Sequence, residues 1–371
     1  MQQDAHYYAV LAFCRACGFK KNSAYEVAYA SQFVDDAKIN HIVIQGDPGP
    51  IERDTIEGEP AFFNTATCHS YTRMKTFNYC AMVNNTCAFH FVPGCEGGNF
   101  SKRLRCREKS PIIMALLDDA MKEDNLVKLG MVLHAYADTF SHQGFSGLLS
   151  KVNDIKDCKP LSKIPWNWAQ QTSEAFRWFT KDRFDRLFDS AMPAYGHGQA
   201  MVYPDLPHLA WSYQYDFSDS FSSAYKPSGE ISNSDRYEAA FKGMQEYLAK
   251  YLEKYPQHRD EGLRFGNFTV LFETLNATKT EKGRIRNWKK TLKNEGLFEE
   301  TDAALTYDED AWLAVAFDNF DKKKFHQRKV DGAILSSTFP QSSWYKYYLA
   351  TKWYKQKFFD YCSESGLKIP C

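Results

Sequence analysis

No stretch of this 371-residue chain approaches the ~18 to 20 apolar residues needed to cross a bilayer. Its opening residues, Met1-Gln2-Gln3-Asp4, lack the basic and apolar regions of a secretory leader. A soluble, cytoplasmic protein is the expectation, or a secreted or periplasmic one if a leader has been removed. Excess charge is missing too: 46 basic residues face 46 acidic ones, so no global field draws the chain to nucleic acid or to an anionic membrane. Internal repeats and low-complexity tracts are absent. No His-Asp dipeptide occurs, which argues against the phosphohydrolases built on such a pair, and the paired Glu-x-x-His motifs of a di-iron carboxylate bundle are also wanting.

Cysteine, in contrast, is plentiful. Ten are present, and Cys68, Cys80, Cys87, Cys95 and Cys106 crowd one segment, as they would in a disulfide framework. Cys14 and Cys17 form a single C-x-x-C on an Ala-rich, helix-like stretch with no second copy. That setting fits small buried helix cysteines better than a zinc or redox motif.

Apolar spacing assigns most of the chain to helices. Residues 5 to 38 read as two, broken at Gly18; helix returns at 111 to 143, near 166 to 193, at 234 to 256, at 309 to 325 and at 343 to 363. Between Gln45 and Pro111 the sequence turns rich in Gly, Pro, Asn, Thr and Cys, so irregular excursions are expected there, with a short strand near Phe89 to Val92. An alternating strand and helix pattern is not seen, and the fold class expected is all-α. Residues 1 to 215 would form a helical core with the excursion at 45 to 110; residues 216 to 371 would add helices packed on the same domain. The aromatic residues Trp168, Phe176, Trp178, Phe179, Phe184 and Phe188 suit a core stripe. The basic run Lys282, Arg284, Arg286, Lys289, Lys290 and Lys293 suits a solvated helix face.

The strongest chemical signal lies at His134, Asp138 and His142. Their i, i+4, i+8 spacing stacks three ligand-type side chains on one face of an otherwise apolar helix. A cap or an ion pair accounts for one such residue, but three on a buried stripe need compensation and point to a bound metal. Other candidates sit at element ends or in loops: Asp4 and His6, Asp35 and Asp36, His69, His197 within Gly196-His197-Gly198, and Asp205 within Tyr203-Pro204-Asp205-Leu206-Pro207. His41, His90, His258 and His326 have no such setting and read as surface or packing residues.

The order of these residues resembles a known superfamily. A His near the N-terminus, then Ala30-Ser31-Gln32-Phe33-Val34-Asp35, a lone His69, and His134-x3-Asp138 with a further His are similar to the zinc-dependent phospholipase C and fungal single-strand nuclease superfamily. Asp4-Ala5-His6-Tyr7-Tyr8 together with Ser31 to Asp36 also looks like a bacterial family of unknown function within it. The resemblance covers roughly residues 4 to 215.

It implies an all-helical, phospholipase C-like core holding one to three zinc ions. Asp35, His69, His134 and Asp138 would bind one ion, with Asp138 bridging to a second that His6 helps hold. His142, His197 and Asp205 would bind the third. Asp35 and Asp138 take the catalytic roles, Asp36 is an alternative to Asp35, and Asp4 stands in for the N-terminal tryptophan of the family. The activity implied is zinc-dependent phosphoester hydrolysis on a small phosphoester or lipid head group. A non-catalytic, metal-stabilised binding or structural protein is the alternative.

Overall fold

The computed structural model describes residues 1–68, 78–162, 194–216 and 230–371. His69 and the aromatic stretch expected as a helix at 166 to 193 lie outside these residues. Among the described residues, no helix is long and apolar enough to cross a membrane.

The centre of the molecule is the helix that carries the His/Asp ladder. It spans Leu126–Ser141 and every one of its residues is buried. Asn125 starts it by accepting hydrogen bonds from the backbone N–H groups of Val127 and Lys128, the usual remedy for the orphan donors of a first turn. We label the helices in chain order: α1 (Val10–Ala16), α2 (Lys21–Asp36), α3 (Pro111–Ala120), α4 (Leu126–Ser141), α5 (Asn233–Lys254), α6 (Phe268–Leu275), α7 (Glu281–Asn294), α8 (Ala311–Ala316) and α9 (Ser343–Glu364). A π-helical turn, Asp4–Ala9, precedes α1. Helix α4 packs against α2, α3, α5 and α9.

Close approach of α2 and α4 depends on Gly130. A Cβ there would lie 2.2 Å from the Val27 carbonyl oxygen and 2.8 Å from the Ala30 Cβ, so only the bare backbone fits. Asp35, in the last turn of α2, is thereby delivered beside His134. The larger apolar core runs from Met1 to Leu367 and includes Trp288 of α7 and Tyr354 of α9, so the C-terminal helices cover the same centre as the N-terminal ones.

Two sheets correct the expected all-α class. Among the described residues helix makes up 52% and strand 13%, so the fold is mixed α/β. The first sheet has the order β2-β3-β1-β7, from β1 (His41–Ile44), β2 (Asp54–Ile56), β3 (Glu59–Phe63) and β7 (Lys329–Ala333). Strand β1 is antiparallel to β3 but parallel to β7, with His41 opposite Lys329. The second sheet runs β4-β5-β6, from β4 (Ile155–Pro160), β5 (Ala210–Tyr215) and β6 (Ile231–Ser232). These strands are short, and β4 reads Ile-Lys-Asp-Cys-Lys-Pro, so no run of alternating apolar residues announced them.

Other expectations change as well. Residues 111 to 143 form two helices rather than one, and 309 to 325 is broken into Ala311–Ala316 and Lys322–Phe325. Phe89 to Val92 ends a helix instead of forming a strand. Cys80 and Cys371 form a disulfide, while Cys14 and Cys17 are free, the former buried.

Candidate metal centre

Five separate stretches of chain converge around Asp138. Helix α4 supplies His134, Asp138 and, at its C-cap, His142. The π-helical turn supplies His6, α2 supplies Asp35, and the helix end after Cys87 supplies His90. Two short turns following residue 194 bring His197 and Asp205. Asp138 is 1% exposed and His6 and His134 are 0% exposed, so this is a cluster of ionisable groups within a core.

The two oxygens of Asp138 look in different directions. Oδ1 lies 3.0 Å from His6 Nε2 and 2.7 Å from the Met1 nitrogen. Oδ2 lies 3.1 Å from His90 Nδ1 and 3.4 Å from His134 Nε2. Asp35 completes the second side, its Oδ1 being 3.7 Å from His90 Nδ1 and 3.8 Å from His134 Nε2. A third group stands beside these, where Asp205 lies 3.2 Å from His142 Nε2 and 3.5 Å from His197 Nε2. Asn233, at the start of α5, holds the Asp205 turn by donating to the carbonyls of Tyr203 and Leu206.

Which ring nitrogens face inward is set by carbonyls behind them. His90 Nε2–H donates to Thr67 O at 3.0 Å, His142 Nδ1–H to His90 O at 2.7 Å, and His197 Nδ1–H to Met201 O at 2.8 Å. Such outer hydrogen bonds fix the tautomer of metal-binding histidines. They leave the lone pairs of His90 Nδ1, His142 Nε2 and His197 Nε2 pointing at carboxylate oxygens, an arrangement that repels unless a cation or a proton lies between. Two ligands at ~2.0 to 2.1 Å from a tetrahedral zinc stand ~3.3 Å apart. The inward separations, from 3.0 Å for His6–Asp138 to 3.8 Å for His134–Asp35, bracket that edge. His6 and His134 stack with ring centroids 3.8 Å apart, which orients both without an outer partner. The donor set and its spacing fit divalent metal.

Titration behaviour agrees with a cation-hungry site. Burial pulls His6 and His197 down to about 4, keeping both rings in the neutral, ligating form at pH 7. Burial also opposes ionisation of Asp138, but the nearby His142, the Met1 amine, His6 and His134 outweigh it and hold the carboxyl well below its usual range. Burial likewise pulls His90 down, yet its hydrogen bond with Asp138 and the charges of Asp35 and Asp138 leave it raised. Asp35, 30% exposed at its side chain, is pushed up chiefly by burial, with Asp138 adding to the shift. Asp35 faces a cavity of about 560 Å³ that Met1, Gln3, Gln32, Asp36, Glu281 and Tyr307 help to line; no Lys or Arg is among its described lining residues.

Of the residues predicted from sequence, His6, Asp35, His134, Asp138, His142, His197 and Asp205 meet here. Asp4 and Asp36 do not. Asp4 pairs with Arg284, and Asp36 accepts hydrogen bonds from Tyr307 and Gln32. His90, read from sequence as a packing or surface residue, stands at the centre instead. Three histidines, His41, His69 and His90, lie between Asp35 and His134 in the sequence, and no local signal marks His90, which the fold places at Asp138. A further group, Glu309, Asp310 and His326, lies apart and is already balanced, with Lys322 2.7 Å from Asp310 and Lys38 3.1 Å from Glu309.

Comparison with known proteins finds no match among curated proteins and none among solved structures. Residues 1–362, nearly the whole chain, match one family description, and the protein belongs to that family of unknown function, DUF6765.

Proposed function

We propose that the protein is a metal-dependent phosphoester hydrolase, that its ions are zinc, and that it is related to the zinc-dependent phospholipase C and single-strand nuclease superfamily. The observation that carries this reading is the double exposure of Asp138, with Oδ1 turned to His6 and Oδ2 to His90 and His134. A carboxylate shared between two nitrogen-rich groups, with a third group beside it, is the arrangement expected of a multi-metal phosphoesterase. Divalent ions held there would polarise phosphoryl oxygens and lower the pKa of water.

The chain's own contribution is orientation and access. Thr67, His90 and Met201 carbonyls aim three imidazoles inward. Partly exposed Asp35 connects the buried cluster to the cavity, which gives solvent and a small substrate a way in. The cavity is bordered by amides and by the carboxylates of Asp35, Asp36, Glu281 and Glu309, so bound metal would have to supply the attraction for a single phosphoester or a lipid head group. It does not suit a polyanionic strand, which needs several Lys or Arg contacts.

The alternative is a metal staple without catalysis, favoured by the depth at which His134 and Asp138 sit. Zinc counting and a phosphodiester screen separate the two. The hydrolase reading expects more than one zinc per chain, hydrolysis abolished by chelation, and loss of more than one equivalent in Asp138→Ala, since a bridging carboxylate serves both groups. A single tightly held ion, or full metal loading with no hydrolysis of any diester or monoester, would favour the staple.

A further inference from the structure

Arg284 is the one member of the basic run on α7 that is fully buried, at 0% exposure. Its Nε donates to Asp4 Oδ2 at 2.6 Å and its Nη2 to Asp4 Oδ1 at 3.0 Å, a two-pronged match of guanidinium to carboxylate. Nη2 also donates to the side-chain oxygen of Gln2, and Nη1 to the Lys279 carbonyl at 2.6 Å. One side chain from the C-terminal third thus grips residues 2 and 4.

Those two residues are the mount of His6. Asp4 opens the π-helical turn that carries it, and the Gln2 carbonyl accepts from the backbone N–H of Ala5 at 2.9 Å and of His6 at 3.0 Å. His6 Nε2 then reaches Asp138 Oδ1. Among the described residues, Arg284 is the charged side chain that bonds Asp4.

We propose that Arg284 is a positioning residue for the metal site containing His6: by clamping Gln2 and Asp4 it sets the occupancy of that site and leaves the His142, His197, Asp205 site untouched. This rests on the multi-metal reading above. The fork geometry is essential to it, because a lysine carries the same charge as a point and cannot hold both carboxylate oxygens and Gln2 in one plane.

The test uses the whole chain as wild type, as Arg284→Lys, and as the double variant Asp4→Asn with Arg284→Gln. The double variant removes both buried charges together and so avoids leaving one unpaired. Each protein is stripped with chelator and titrated with cobalt, read by visible absorption, and with zinc, read by elemental analysis. The expected result is that both variants bind one ion at least tenfold more weakly, with loss of one component of the cobalt spectrum, while the remaining ions and the circular dichroism are unchanged. A purely structural brace would not remove one spectral component selectively.

Affinities within twofold of wild type in both variants would overturn the proposal, as would a uniform weakening of every ion. Failure of both variants to fold even with zinc would make Arg284 a folding residue and overturn it equally. If wild type binds no metal, the hydrolase reading falls and takes this inference with it. If wild type binds metal and the variants match it, this inference alone falls.

Discussion

Among the histidines around Asp138 and Asp205, burial keeps His6, His134 and His197 in the neutral form. His6 and His197 have folded pKa values near 4 against an ordinary 6.5. Above about pH 6.5 both are neutral in folded and unfolded chains and cost nothing. Between about 6.5 and 4 the unfolded chain takes up protons that the folded one refuses, so the metal-free protein should lose stability steadily across that window. His90, raised by its carboxylate partners, and Asp35, raised chiefly by burial, have the opposite sign, each stabilising at low pH and losing that contribution as pH rises through its raised value, whereas His134, lowered by burial, adds to the loss from His6 and His197. Urea unfolding of chelated protein at pH 7, 5.5 and 4.5 reads the balance. A midpoint that holds or rises on acidification would contradict the buried, neutral state of His6 and His197.

The ladder on one helix was legible because His134, Asp138 and His142 repeat at helical spacing, whereas His90 carries no local pattern. Its role depends on a carbonyl at Thr67 and on Tyr347 and Lys355, two residues of α9. Tyr347 meets the Thr67 hydroxyl, and Lys355 donates to the carbonyls of Asn64 and Ala66. Nothing near position 90 encodes that arrangement.

At the scale of elements, the site exists because α2 and α4 lie almost backbone to backbone. The contact at Gly130 leaves no room for a methyl group, and the nearest obstacle is the Val27 carbonyl, which cannot rotate away as a side chain could. Gly130→Ala should therefore destabilise the fold by about 1 to 3 kcal/mol despite the better helix propensity of alanine. It should also weaken metal binding by moving Asp35 from His134. Denaturant melts with and without zinc check both effects; a stabilised variant would show that the helices have slack.

Helix positions were readable from apolar spacing, as Tyr237, Phe241, Met244, Leu248 and Leu252 on α5 illustrate. The strands were not. Pairing β1 with β7 joins residues 41 and 329, a relation that periodicity within either segment cannot express, and the short polar strand β4 finds its place only by pairing with β5.

For the molecule as a whole, the N-terminal portion supplies the inward-facing ligands and the C-terminal helices hold them in place. Arg284 of α7 grips the turn of His6, Asn233 of α5 holds that of Asp205, and α9 secures the loop behind His90. The resemblance drawn from residues 4 to 215 did not reach these C-terminal residues. Residues beyond it look inert in sequence because an arginine within a basic run, or an asparagine at a helix start, has an ordinary surface explanation until its burial is known.

Anomalous scattering at the zinc edge from crystals of the zinc-loaded protein tests the central claim most directly. The account predicts one peak between Asp138 Oδ1 and His6 and another between Asp138 Oδ2, Asp35, His90 and His134, with a third beside Asp205, His142 and His197. No peak at Asp138, or a single peak away from it, would contradict the shared-carboxylate centre on which the proposed hydrolysis rests.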